Sequence, residues 1–296
     1  FDGVIAFTKM PGLDAYFASD PCFAAKYRQT KSRLGKLTRR YRLYRKWEEA
    51  VFAKGSRTQI LLITDREVPL YREIYGTEPE RFHLLPPNIV RRTFSESDRE
   101  SARLAKRAEL GQAADTTLLL MVGSGFRTKG VDRAIEGLAK LHSTAGNEAQ
   151  LVVVGHGKPE SYQRRAKSLG VGDRVHMLGG RTDVPEWMLA ADLLVHPARN
   201  ENTGTVLLEA LANGLPLLVS DVCGYAFHIE RANAGRLVPS PFSQTQFNQL
   251  LQETVDSAEL QQWSANGLKY AAEEDLYSCH DKACELIEKF VAAKAC

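Results

Sequence analysis

Two glutamates eight positions apart are the residues of this sequence best suited to bind a polar ligand. Glu201 lies in a polar segment, and Glu209 lies within the apolar run 206–212. A carboxylate buried in such a run is costly unless a polar group hydrogen-bonds to it, and a pair of sugar hydroxyls could be that group. Gly204 and Thr205 stand between the glutamates, where a helix is predicted to begin. Its free N–H groups could stabilise a phosphate.

A glycine-rich segment at 122–130 is a second candidate for anion binding. It is predicted to join a strand to a helix and contains Gly123, Ser124, Arg127 and Lys129. Glycines let the backbone approach an anion, and two cations beside a helix N-terminus suit a diphosphate. The Gly-Lys-Ser/Thr ending of a Walker A loop is missing, which excludes that motif. A turn with two solvated basic residues remains the alternative.

The segment 179–185 is a third loop predicted to follow a strand. Asp183 is expected to cap the helix that begins at Pro185, because Asp favours the N-cap position and Pro the first turn. The backbone of the loop could still face a nucleobase. Arg181 and Thr182 are therefore candidates for binding the same ligand.

These loops belong to a regular alternation of apolar runs and amphipathic segments. Strands are predicted at 4–7, 59–64, 81–84, 117–122, 150–154, 174–178, 192–195, 217–220 and 235–238. Helices are predicted at 37–53, 66–75, 131–142, 159–169, 185–190, 205–213 and 243–258. Short continuous apolar strands are typical of parallel sheets covered on both faces. The alternation predicts a doubly wound α/β fold, in which ligands bind beyond the carboxyl ends of the strands.

The sequence predicts two domains. A break at 85–88, followed by a polar stretch at 91–107, marks the crossing between them. Residues 1–88 form the N-terminal domain and residues 89–270 the second domain. The helix expected at 271–296 could return to the N-terminal domain.

The amino-acid composition excludes several classes of protein. The chain has 296 residues, a formal net charge of +3 and 44% hydrophobic residues, so a globally basic nucleic-acid binder is not indicated. No apolar run is long enough to span a membrane, and no signal peptide is visible. The odd number of cysteines, without metal-type spacing, indicates reduced thiols in a cytoplasmic protein. They are Cys22, Cys223, Cys279, Cys284 and Cys296.

The segment 26–47 departs from the nearly neutral charge of the whole chain. Ten Lys or Arg residues and no acid occur between positions 26 and 46, mixed with tyrosines and followed by Trp47. Cations with aromatic residues on a helix suit the surface of an anionic membrane. A solvated helix face and an RNA-binding face are the alternatives. The membrane candidates are Lys36, Arg39, Arg40 and Arg42.

These motifs resemble those of a known family. Glu201, seven intervening residues, Glu209 and the following Ala-Leu-Ala-x-Gly-x-Pro are similar to the donor site of retaining GT-B glycosyltransferases of the family 4 type. The segment 122–130 is similar to their diphosphate loop. Further segments resemble the members that build the lipopolysaccharide core, at 9–14, 77–82, 129–133, 222–226 and 275–278. The resemblance implies a GT-B fold of two Rossmann-like domains, the N-terminal one incomplete because the first strands and glycine-rich loop of such a domain are missing.

The resemblance also implies a role for each site residue. Glu209 would hold the ribose hydroxyls of UDP, and Glu201 would contact hydroxyls of the donor sugar. Lys129, helped by Arg127, would neutralise the diphosphate as the glycosidic bond breaks. Asp14 would face the donor sugar from the N-terminal domain. No metal or cofactor is expected, and the absence of an Asp-x-Asp sequence agrees with a metal-independent reaction.

The activity implied is transfer of a hexose, with glucose expected, from a UDP-sugar to a heptose of the lipopolysaccharide inner core. It would occur at the inner face of the inner membrane of a Gram-negative bacterium, with no nucleic acid as partner. One departure is Ser124, which stands where many relatives have an arginine. The alternatives are a same-fold transferase for another cell-surface glycan and an inactive fragment that binds a nucleotide sugar.

Overall fold

The computed structural model describes residues 2–18, 20–30, 38–113, 115–145 and 148–295. The chain divides into two compact units. Unit 1 comprises Phe1–Asn88 and Asp275–Cys296, and unit 2 comprises Ile89–Glu274. Both are α/β units built on parallel sheets, as the alternation of elements predicts.

Unit 1 contains a four-stranded sheet among its described residues, in the order β1-β2-β3-β4, with every pair parallel. The strands are β1 Ile5–Ala6, β2 Ala15–Ala18, β3 Gln59–Leu62 and β4 Phe82–Leu84. The helices between them are α1 Phe23–Thr30, α2 Arg39–Phe52 and α3 Val68–Tyr75. Aromatic packing dominates the core, where the Phe52 and Tyr71 rings stack with centroids 3.7 Å apart.

Unit 2 contains a six-stranded parallel sheet among its described residues, in the order β10-β9-β8-β5-β6-β7. Its strands are β5 Leu118–Val122, β6 Gln150–Val154, β7 Val175–Gly179, β8 Leu193–His196, β9 Leu217–Ser220 and β10 Gly235–Val238. Its helices are α4 Glu96–Glu109, α5 Phe126–Lys129, α6 Val131–Ala145, α7 Glu160–Ser168, α8 Val184–Ala190, α9 Thr205–Ala212, α10 Ala226–Ala232, α11 Gln244–Val255 and α12 Leu260–Glu273. The strand order reverses between β5 and β8, which is the topological switch point of this fold.

Several elements were not predicted from the sequence, among them β2, α1, α4 and α10. Helix α4 overlaps the stretch 91–107, which the sequence predicts to be a polar crossing between the domains. It begins with a capping box between Ser95 and Asp98. Its Arg107 is buried and donates to the Asp192 carboxylate at 2.7 Å. An ion pair within unit 2, which hydropathy does not reveal, therefore fixes this helix to the segment that precedes β8.

The last helix, α13 Cys279–Ala295, belongs to unit 1. Cys279 and Ala283 pack with Leu61 and Leu85, and the Cys279 N–H donates to the Pro87 carbonyl at 3.3 Å. In the part of the chain that the structure describes, no helix is both long enough and apolar enough to cross a bilayer.

Candidate active site

The candidate site lies at the switch point of unit 2. Strands β5 and β8 are parallel neighbours there. The glycine-rich segment follows β5, and the segment containing Glu201 follows β8. In open α/β sheets the crevice beyond the carboxyl ends of such a strand pair binds nucleotides. The fold therefore brings together two segments that lie 72 residues apart at Lys129 and Glu201.

Close backbone contact joins these two segments. Gly130 has a φ of +76°, and a Cβ atom at this position would overlap the Pro197 carbonyl group. Only glycine fits both the left-handed conformation and the short approach. The Arg133 guanidinium donates to the carbonyl oxygens of Pro197 and Ala198 at 3.0 and 3.1 Å. Helix α6 and the segment after β8 are thus fixed against each other.

Arg199 provides a second connection between the segments. Its N–H donates to the Thr128 carbonyl at 2.8 Å, and its guanidinium donates to the Arg127 carbonyl at 2.8 Å. The same guanidinium forms a two-pronged pair with Asp132 at 2.8 and 2.7 Å. Burial opposes ionisation of Asp132, but the hydrogen bonds from Arg199 outweigh it and lower the pKa of that carboxyl. These contacts hold the β5 and β8 loops in register.

Lys129 and Glu201 meet at the centre of this arrangement. Their side chains form an ion pair and are 19% and 15% exposed. Burial opposes ionisation of Glu201, while His196 and Lys129 favour it, and the net effect lowers its pKa. His196 at the end of β8 is fully buried, with Nε2 3.5 Å from Glu201 Oε2. That distance is long for a hydrogen bond, so we assign the main stabilisation to Lys129.

The start of α9 lies beside this pair. Gly204 is the N-cap, with a left-handed φ of +87°. A Cβ atom there would lie 3.3 Å from Glu201 Cγ and 3.1 Å from Leu207 Cδ1. Thr205 is the first helical residue and is exposed. The free N–H groups of this first turn are oriented to stabilise an anion.

Glu209 lies in the second turn of α9 and is half-buried. Burial raises the pKa of its carboxyl, and the charge of Arg92 opposes that shift. Among the residues that the structure describes, none donates a hydrogen bond to this carboxylate. The polar partner that the sequence requires for Glu209 is therefore not supplied by its described neighbours.

The remaining residues of the glycine-rich loop hold its backbone in place. The Ser124 hydroxyl accepts the His156 N–H at 3.1 Å, and the Gly125 N–H donates to the His156 carbonyl at 3.2 Å. Ser124 thus ties the β5 loop to the β6 loop. Arg127 is exposed, and its carbonyl group is the part that bonds to Arg199. Gly123 adjoins Lys129, since a Cβ atom at Gly123 would lie 3.0 Å from Lys129 Cε.

Comparisons with known proteins agree with this geometry. The family described as Glycosyl transferases group 1 matches residues 102–270. The chain is 45% identical to lipopolysaccharide glucosyltransferase WaaG of Escherichia coli (strain K12), over 97% of this chain and 77% of that protein. This chain belongs to the group 1 glycosyltransferases. It is therefore a nucleotide-sugar-dependent glycosyltransferase, and the family expected from the motifs is confirmed.

Solved structures of group 1 and similar folds extend the comparison. The crystal structure of WaaG, a glycosyltransferase involved in lipopolysaccharide biosynthesis, superposes with a TM-score of 0.85 at 44% identity. The match covers 97% of this chain and 78% of WaaG. Anabaena Alr3699/HepE, in complex with UDP-glucose, gives a TM-score of 0.72 at 19% identity over 93% of this chain and 72% of HepE. That second likeness concerns the fold alone. The expected GT-B architecture is confirmed.

Charged side chains of the loop after β7 pair with one another, and the donor-binding role of Arg181 stays a prediction. Asp183 occupies the N-cap position of α8 but makes no capping hydrogen bond, so the predicted cap is wrong. Its carboxylate instead accepts from Arg181 at 2.8 and 2.6 Å and pairs with Lys106. These hydrogen bonds keep the pKa of Asp183 well below its usual range. The Arg181 guanidinium also reaches Glu109 at 3.1 Å, so it bonds to carboxylates of its own unit rather than to the Lys129–Glu201 pair.

Thr182 lies between Arg181 and Asp183, and its donor-binding role remains a prediction.

Asp14 lies in unit 1, directly before β2, at the amino end of that strand. Its carboxylate accepts the Val4 N–H at 2.8 Å. Ligands of parallel sheets bind at the opposite edge, so we leave Asp14 out of the proposed site.

The membrane candidates lie in unit 1. Lys36 falls outside the described residues. Arg39, Arg40 and Arg42 occupy the first turn of α2 and are exposed. The Arg40 guanidinium lies 5.5 Å from the Tyr44 ring centroid. The basic stretch is thus helical from Arg39 onward.

Within the described ranges, no group of three or more His, Cys, Asp or Glu side chains could hold a metal ion.

Proposed function

We propose that this chain transfers a hexose, glucose, from a UDP-sugar to a heptose of the lipopolysaccharide inner core. One observation carries the proposal. A lysine–glutamate pair at the switch point adjoins the N-terminus of α9, and the second turn of that helix carries a glutamate whose carboxylate has no donor among the described residues. The 45% identity to WaaG supports the acceptor class.

The residues of unit 2 fit the parts of a UDP-sugar. Glu209 holds the ribose hydroxyls, since its carboxylate accepts two hydrogen bonds readily. The N–H groups at Gly204 and Thr205 and the ammonium of Lys129 face the diphosphate. Negative charge develops on the leaving UDP in the transition state, so cations already in position accelerate the reaction as well as bind the donor. Glu201 then exchanges Lys129 for hydroxyls of the donor sugar.

The reaction proceeds with retention in this proposal. The bond between the sugar C1 and the phosphate oxygen breaks, and the acceptor oxygen forms its bond to C1 on the same face. The proton of the acceptor hydroxyl goes to the leaving phosphate. Lys129 and the helix N–H groups supply the positive charge that a metal ion would otherwise provide.

The proposal places the enzyme on the cytoplasmic face of the inner membrane. Arg39, Arg40 and Arg42 are exposed, and Leu43 beside them is 41% exposed. Cations next to apolar side chains favour an anionic bilayer, at about 1 kcal/mol per basic residue. Replacing the three arginines by glutamine should weaken binding to phosphatidylglycerol vesicles by roughly 3 kcal/mol. Removing three exposed lysines of unit 2 is the control, at Lys140, Lys158 and Lys167. Equal binding to phosphatidylcholine and phosphatidylglycerol vesicles would exclude the membrane role.

A transfer assay tests the main proposal. The chain is incubated with UDP-glucose and a deacylated inner-core oligosaccharide that ends in heptose, and the product is analysed by mass and by the NMR coupling of the new anomeric proton. A gain of one hexose with an α linkage is expected. UDP-galactose and UDP-N-acetylglucosamine test the donor. Turnover on another glycan but not on heptose would show that the acceptor is that other glycan. UDP binding without any turnover would support the alternative of an inactive fragment.

A further inference from the structure

Unit 1 contains a small cavity at the carboxyl edge of its sheet. The cavity has a volume of about 190 Å³. Thr8 and Lys9, which follow β1, line one side, and Asp20 and Pro21, which follow β2, line another. We call it the β1–β2 cavity. In parallel sheets this edge is where ligands bind, and the residues assigned to the donor all lie in unit 2.

The remaining wall of the cavity is aromatic. It is formed by Phe23 of α1 and by Tyr44 and Trp47 of α2. The Phe23 and Tyr44 rings stack with centroids 5.5 Å apart, and Tyr44 and Trp47 lie 5.8 Å apart. Tyr44 is 41% exposed, so this aromatic wall presents apolar surface to a ligand. Pockets of this composition obtain specificity from a few polar groups at the rim.

The rim carries both signs of charge. Lys9 donates to Glu48 at 2.7 Å and to the Pro21 carbonyl at 2.9 Å, so a buried carboxylate balances its charge. Lys26 supplies a second ammonium group, and Asp20 supplies a carboxylate. A carboxylate repels a bare phosphate at short range. A hydroxyl group, in contrast, both donates and accepts, so it can bond to Asp20 and Lys26 together.

These features lead to one ligand class. We propose that the β1–β2 cavity binds a sugar ring of the acceptor glycan. An apolar face of the ring packs on Trp47 and Tyr44, while hydroxyls of the ring accept from Lys26 and donate to Asp20. The cavity is too small for a folded peptide segment and suits a single ring. This inference rests on the proposed function, because it assigns the acceptor side of the same transferase.

The three tryptophans of the chain give a direct binding test. Trp47 lines the cavity, whereas Trp187 and Trp263 are buried in unit 2 and serve as internal controls. The 15N-labelled chain is titrated with methyl heptopyranoside, then separately with inorganic phosphate, and the indole N–H signals are recorded. The Trp47 signal, assigned with Trp47→Phe, should shift with the heptoside alone. A response to phosphate alone, or none to the heptoside, would overturn the proposal.

Kinetics with matched variants supply the second test. Asp20→Asn should raise the acceptor KM by about tenfold, the usual cost of losing one hydrogen bond to a charged group, and leave the donor KM unchanged. Asp65→Asn is the control, because Asp65 is an exposed carboxylate that follows β3 at the same edge but outside the cavity. Equal acceptor KM values for the two variants would contradict the assignment.

A third pair separates the cavity from the membrane. Lys26→Gln and Lys46→Gln remove the same charge from the basic segment, but only Lys26 lines the cavity. Both variants should lose similar affinity for anionic vesicles. With the deacylated oligosaccharide, only Lys26→Gln should raise the acceptor KM. An equal rise of the acceptor KM for both variants would mean that the effect comes from the charge of the basic segment as a whole, and it would overturn the cavity assignment.

The outcomes also separate this inference from the proposed function. If UDP-glucose is turned over on heptose while Asp20→Asn and Trp47→Ala leave the acceptor KM unchanged, the cavity assignment fails and the function stands. If the heptoside shifts Trp47 but no hexose is transferred, the function fails and the sugar-binding cavity stands.

Discussion

Glu48 in α2 and Glu209 in α9 are both helical glutamates of an α/β unit, and they differ in what surrounds the carboxylate. Glu48 is fully buried and accepts the N–H groups of Phe23 and Ala24 at 2.7 and 2.9 Å, the ammonium of Lys9 at 2.7 Å and the Tyr75 hydroxyl at 2.5 Å. Burial opposes its ionisation, but these partners outweigh burial and lower its pKa.

Glu209 shows the opposite balance. It is only half-buried, yet burial raises its pKa because no described residue donates to it. A carboxylate whose oxygens already accept hydrogen bonds from the protein stabilises the fold, as Glu48 does for the start of α1. A carboxylate left without donors beside a switch point is instead available to a ligand. Glu201 is intermediate, since its partner Lys129 is itself assigned to the donor.

The largest effect is expected for Lys129, the partner of Glu201. Lys129→Met removes the cation assigned to the leaving diphosphate and should lower kcat by about a thousandfold, or roughly 4 kcal/mol. Steady-state rates with UDP-glucose measure it, and Lys140→Met, an exposed lysine of α6, is the control. An unchanged kcat would mean that Lys129 is only a structural partner of Glu201, as Lys9 is of Glu48.

The second effect concerns the stability of unit 1. Glu48→Gln leaves Lys9 with an uncompensated charge and should lower the free energy of unfolding by roughly 3 kcal/mol. Because the folded pKa of Glu48 lies below its unfolded value, its contribution is present above the unfolded pKa and is lost as the pH falls through the folded one. Urea unfolding at several pH values measures both. Exposed Glu49→Gln is the control, and equal stability of the two variants would contradict the assignment.

The smallest effect should have the opposite sign. The folded pKa of Glu209 is raised, so its own contribution to stability is fully present below the unfolded pKa and is lost as the pH rises through the folded one. Glu209→Gln removes this loss and should stabilise the ligand-free protein by about 1 kcal/mol at neutral pH. Thermal unfolding at acidic and neutral pH measures the difference, with exposed Glu230→Gln as control. A destabilised variant would mean that Glu209 has a structural partner.

Local patterns predicted part of this structure well. Strands β6, β9 and β10 coincide with their predicted bounds. For β6 and β9, the continuous apolar runs 151–154 and 217–219 leave few alternatives. The two glutamates and the glycine-rich loop were also located from spacing. Strand β2 was missed because it is short and directly follows a proline- and glycine-containing loop.

What the sequence could not reveal depends on contacts between distant segments. His196 directly follows the strand predicted at 192–195, and only the fold shows that it lies 3.5 Å from Glu201. Glu48 reads as one acid on a charged helix, since its partners come from three other segments. Asp183 has the sequence signature of a cap, but Arg181 and Lys106 compete for its carboxylate.

Titration with UDP tests the central claim most directly, since it requires neither the acceptor nor the membrane. Heat of binding is measured for the wild-type chain, Glu209→Gln and Glu230→Gln. The account predicts that UDP binds the wild type and Glu230→Gln equally and binds Glu209→Gln roughly 30-fold more weakly, as expected for one lost charge-assisted hydrogen bond of about 2 kcal/mol. Equal affinity of all three proteins for UDP would contradict it.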